Sequence, residues 1–71
     1  MDLAIAQMLE KAEFNGRHVW NYLIPSTIGN LYVVQHECVG LEVVDDYIGR
    51  SEQRAEQKFV QVTKKLLDGK I

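Results

Sequence analysis

A chain of 71 residues with 46% hydrophobic and 25% charged side chains has room for one small core and is too apolar for a disordered tail. Its N-terminal stretch MDLAIAQMLEKAE carries acids early and has neither a basic leader nor a long apolar run, so neither a signal peptide nor a membrane-spanning helix is expected there. The net charge of −2 hides a division: no Lys or Arg lies between Arg17 and Arg50, a span holding Glu37, Glu42, Asp45 and Asp46, whereas the C-terminal third is basic.

Residues 1–71 are read as a single domain. The lone cysteine, Cys38, rules out an internal disulfide and fits a reducing compartment, so the expected location is the cytoplasm. Domains this short commonly draw part of their stability from oligomerisation, because one small core rarely supplies more than ~3–5 kcal/mol.

In chain order, Asp2 is a candidate N-cap, and Ile5, Met8, Leu9 and Ala12 recur at helical spacing. Asn15-Gly16 then tolerates the left-handed turn that ends a helix. A first helix is therefore predicted over Leu3 to Phe14. RHVWNYLIP is rich in β-favouring residues, and Pro25 with Gly29-Asn30 marks a turn after it, giving strand, turn, strand.

The stretch YVVQHECVGLEVVDDY, Tyr32 to Tyr47, is ambiguous by period, since Leu31, Val34, Cys38, Leu41 and Ile48 also fit a helical stripe. Composition favours a hairpin: Val33, Val34, Val39, Val43 and Val44 are β-branched, and Gly40 lies where a loop is needed. A second helix comes next. Ser51 is its N-cap, Glu52 suits the positive N-terminus, Ala55, Phe59, Val62 and Leu66 form one stripe, and Lys64, Lys65 and Gly69 mark the exit.

The resulting order is helix, strand, strand, strand, helix, an α+β fold of two layers with a three-stranded antiparallel sheet; the alternative is an all-α bundle. The same order belongs to double-stranded RNA-binding domains, and GRSEQRAEQKFVQVTKKLL resembles the start of their second helix. The resemblance covers topology and about twenty residues, and implies an RNA-binding surface on that helix. Where that family places lysines this chain has Glu52, Gln53 and Glu56, leaving Arg50, Arg54 and Lys58 as nearby cations.

Strand side chains alternate between faces, and both sets are apolar here: Val19 and Leu23 oppose Trp20, Tyr22 and Ile24, while Leu31 and Val33 oppose Tyr32 and Val34. A water-backed sheet alternates more cleanly. One face is thus expected to be covered by a second chain or another partner, with Trp20, Tyr22, Tyr32 and Val34 as interface candidates.

Other candidates are weaker. Arg50, Arg54, Lys58 and Lys65 flank the helical stripe and could hold a nucleic acid, a nucleotide or another anion, or simply solvate an outer face. His36 and Cys38, two apart on a strand, point the same way and could form a Cys-His nucleophile pair or half a metal site, but no CxxC or HxxxH spacing completes either. Asp45-Asp46 would face opposite ways on a strand and make a poor acid-base pair. The expectation is a small non-enzymatic binding module without cofactor or metal. It would act by self-association and by binding a protein partner, as a regulator or inhibitor; the alternative is a nucleic-acid or nucleotide binder using the basic flank.

Overall fold

The structure, a computed structural model, describes residues 6–71. These form four strands, β1 (Gln7–Phe14), β2 (Arg17–Ile24), β3 (Leu31–Glu37) and β4 (Val43–Gly49), followed by one helix, α1 (Glu52–Leu67). The strands make one antiparallel sheet in the order β1-β2-β3-β4, each paired with its neighbour in sequence. The α+β class holds, but the sheet has four strands, not three.

The difference lies at residues 7–14, where helical spacing predicts a helix and the chain forms a strand. Asn15 and Gly16 both have positive φ, 53° and 77°, and join the paired residues Phe14 and Arg17. This is the two-residue type I′ hairpin loop, for which Asn-Gly is the strongest sequence signal. A helix end needs one left-handed residue; this turn needs two. Met8 and Leu9 of the supposed helical stripe are 46% and 41% exposed, while Ala12 packs on the core. The remainder of that expected helix, residues 3–5, and its Asp2 cap lie outside the described residues.

The other elements agree closely with the sequence reading. β2 occupies RHVWNYLI, and the valine-rich stretch forms the β3–β4 hairpin. Its loop closes with Leu41 N–H donating to the Cys38 carbonyl at 2.8 Å and Cys38 N–H donating to the Glu42 carbonyl at 2.8 Å. Ser51 caps α1, its Oγ accepting from Arg54 N–H at 3.2 Å. At the other end Gly69 N–H donates to the Leu66 carbonyl and Lys70 N–H to that of Lys65, a Schellman closure.

Helix α1 lies across one face of the sheet. Its stripe of Ala55, Phe59, Val62 and Leu66 meets Val19, Tyr32 and Val34, with Ala12, Leu23, Tyr47 and Ile71 at the margin. Each large side chain there gains about 1.5–3 kcal/mol by leaving water, so a few of them represent the whole stability margin of so small a fold.

The candidate sites: an open sheet face and a cluster at the hairpin end

One helix covers one face, and the register decides what the other presents. Pairing Tyr22 with Met8 and Val33, and Val33 with Ile48, places Met8, Tyr22, Val33 and Ile48 side by side on the face away from α1. An open groove of about 570 Å³ runs there, walled by Tyr22, Ile24, Leu31, Val33 and Ile48, with Ala6, Gln35 and Asp45 at its border. Ile48 is 57% exposed.

Beside the groove, β2 stacks three rings. His18 lies against Trp20 with centroids 5.4 Å apart, and Trp20 against Tyr22 at 6.4 Å. The far end of the face is acidic: Glu37 accepts from the His18 ring at 2.6 Å and from His18 N–H at 2.8 Å, and Glu13 lies 3.7 Å from the same ring. The bond from the His18 side chain holds the Glu37 carboxyl below its ordinary value of 4.5.

Of the four residues expected at an interface, Trp20 and Tyr22 lie on this open face. Tyr32 and Val34 do not. Both are buried in the core beneath α1, because alternation along β3 gives the open face to Leu31 and Val33. Sequence alone left undecided which alternating set the helix would choose, and it missed Ile48 and Met8, which the pairing register places beside Tyr22 and Val33.

The four cations are not one site. Arg54 and Lys58 share a shallow polar groove of about 340 Å³ with Tyr47, Gln57 and Gln61. Arg50 is engaged elsewhere, donating from Nη1 to the Gly29 carbonyl at 3.0 Å, and Lys65 lies outside the groove, exposed nearer the helix C-terminus.

On the helix side, at the hairpin end, the structure brings three residues together. His36 Nδ1 lies 2.7 Å from Asp46 Oδ2, and Cys38 Sγ lies 3.8 Å from His36 Nε2. His36 is 7% exposed, whereas Cys38 is only partly buried. Asp46 is the extra residue of a β-bulge, between Asp45 paired with Gln35 and Tyr47 paired with Val34. Asp45 instead bonds the Gln35 amide on the open face at 2.7 Å, so the two adjacent carboxylates do serve opposite faces. Asp46 was legible as a partner of His36 only through the hairpin register around Gly40.

Among the described residues no cluster of three or more His, Cys, Asp or Glu side chains is arranged to hold a metal ion, and no helix is long and apolar enough to cross a membrane. No protein-family model matches the chain, nor does any curated protein or solved structure. The four-strand order also removes the topological half of the likeness to double-stranded RNA-binding domains, which begin with a helix.

Proposed function

We propose that the protein is a non-catalytic association module whose open sheet face pairs with the same face of a second copy. The observation that supports this reading is the apolar groove of Tyr22, Ile24, Leu31, Val33 and Ile48 on the face away from α1, where Ile48 is exposed and Val33 is buried. From a strand spacing of about 4.8 Å and a rise of about 3.4 Å per residue, four strands of this length present roughly 450 Å² in projection. Counting side-chain relief, two such faces bury on the order of 1,200 Å², the lower end of what stable interfaces need.

Charge favours a two-fold arrangement centred on the groove. The acidic residues Glu13 and Glu37 sit at the strand ends beyond it, with Lys11 alongside Trp20. A two-fold axis through the groove and across the strands sends the two acidic ends in opposite directions, so Glu13 and Glu37 of one copy do not meet those of the other. The same acidity disfavours nucleic acid on this face, since phosphate binding depends on cations.

A protein target engaged by the paired module, in a regulatory or inhibitory role, is the natural extension of this reading. Nucleotide or nucleic-acid binding is the second reading, favoured by Arg54 and Lys58 sharing one polar groove. Sedimentation equilibrium over micromolar concentrations tests the first. A mass shifting toward twice that of the chain, with thermal stability rising with concentration, supports it. A concentration-independent monomer overturns it, and absorbance at nucleic-acid wavelengths that copurifies with such a monomer favours the second.

A further inference from the structure

The polar groove between α1 and β4 is walled by Tyr47, Arg54, Gln57, Lys58 and Gln61. Each of these side chains has a hydrogen to donate, and none is an acid. Arg54 and Lys58 are four residues apart and therefore neighbours on one flank of the helix. Among the described residues neither makes an ion pair, and Lys58 is partly buried.

A second observation comes from β4. The Tyr47 hydroxyl accepts from Ser51 N–H at 3.2 Å and lies where a Cβ on residue 49 would be 2.5 Å away. Its position is thus held by the helix cap and by the absence of a side chain at Gly49. A phenol that accepts one bond still has its own hydrogen to give, and no described residue accepts it. The other cations do not extend the groove into a track: Arg50 is bonded to the Gly29 carbonyl, and Lys65 is not part of the wall. Two cations suit one phosphate group better than a nucleic-acid backbone, whose affinity grows with each phosphate neutralised. Guanidinium, ammonium and phenol hydroxyl together match the three terminal oxygens of a phosphomonoester, whereas a carboxylate offers two.

We propose that this groove binds a small phosphomonoester carried on a hydroxylated body the size of a pentose. Arg54, Lys58 and the Tyr47 hydroxyl hold the phosphate. A phosphate fills only part of the roughly 340 Å³, and the Gln57 and Gln61 amides, which both donate and accept, suit hydroxyl groups on the rest of the ligand. The inference rests on the second reading above, narrowed to the pentose phosphate that a nucleotide shares with a simple sugar phosphate. It is independent of pairing, because Tyr47 and α1 lie on the other side of the sheet from the apolar groove.

The test titrates the isotope-labelled intact chain with ribose 5-phosphate, adenosine 5′-monophosphate, ribose and a single-stranded DNA oligonucleotide at fixed ionic strength, read by NMR. Both monoesters are expected to give saturable shifts at Tyr47, Ser51 and the Gln57 and Gln61 side-chain amides, and ribose none. Arg54→Gln and Lys58→Gln should each weaken binding about tenfold, while Lys65→Gln, outside the groove, leaves it unchanged. Tyr47→Phe keeps the ring and should also weaken it; because this change touches the helix cap, the two substitutions of exposed or half-buried cations carry the test if it unfolds. Equal affinity for the two monoesters supports recognition of the pentose phosphate alone, and tighter binding of the nucleotide supports a mononucleotide as the source. No saturable shift with either monoester up to about 10 mM, or a loss in Lys65→Gln equal to that in Lys58→Gln, overturns the proposal. Oligonucleotide binding without monoester binding overturns it while leaving the second reading in place; no binding of any phosphate-bearing probe removes both.

Discussion

The His18 ring meets the Glu37 carboxylate at 2.6 Å across β2 and β3, and the backbone N–H of His18 donates to the same oxygen at 2.8 Å. The side-chain bond is the larger cause of the lowered Glu37 pKa, set against a smaller opposing effect of burial. A carboxyl whose folded pKa lies below its ordinary 4.5 binds protons less readily than in the unfolded chain. The stability it contributes is fully present above that ordinary value and is lost as pH falls through the folded one. Urea midpoints measured from about pH 5 downward should therefore decline, and Glu37→Gln should be the less stable protein at the upper end with the gap closing in acid. A gap that persists unchanged in acid would contradict this assignment.

Leu41 sits in the left-handed region at φ 65°, one residue after Gly40, and is 58% exposed. A leucine there pays about 1 kcal/mol that glycine does not. Its side chain buries too little to offset that. Leu41→Gly should raise the unfolding free energy by about 0.5–1 kcal/mol in a urea titration, with an unchanged slope.

Tyr47 folds its ring over Gly49. A Cβ at position 49 would lie 2.5 Å from the Tyr47 hydroxyl oxygen, and that oxygen accepts from Ser51 N–H at 3.2 Å, which ties β4 to the cap of α1. Gly49→Ala must displace the ring, so it should cost about 1–3 kcal/mol. Ser51→Ala, which removes only the cap to Arg54 N–H, should cost about 1 kcal/mol. Thermal melts of the two variants rank these effects, and a Gly49→Ala variant as stable as the parent would mean that the ring moves aside freely.

Ile48 and Val60 are 57% and 58% exposed, one on the open sheet face and one on the helix. If the sheet faces pair, Ile48→Lys should convert the protein to a monomer while Val60→Lys leaves association intact. For each isolated protomer the change should stay within about 0.5 kcal/mol, as at other surface positions. Size-exclusion chromatography with light scattering distinguishes the two; equal behaviour would place the contact elsewhere.

Elements whose signals are local are legible in the sequence itself. Ala55, Phe59, Val62 and Leu66 recur at helical spacing between a serine cap and a Schellman closure, and the same residues are buried against the sheet. The β-branched runs around Gly40 favour a hairpin over the helical stripe that their period also fits, and they form a hairpin. Residues 7–14 are the opposite case. QMLEKAEF has good intrinsic helix formers, but propensity is a weak prior worth tenths of a kcal/mol per residue. Here the type I′ turn at Asn15-Gly16 and the backbone bonds to β2 override it. Tertiary pairing alone selected the alternating set that lies under α1, burying Tyr32 and Val34 and leaving Tyr22, Val33 and Ile48 on the open groove. It also brought Asp46, ten residues along the chain from His36, to the His36 ring. Both outcomes depend on strand register and a bulge, and a shift of one residue would send each side chain to the other face without altering composition or local propensity.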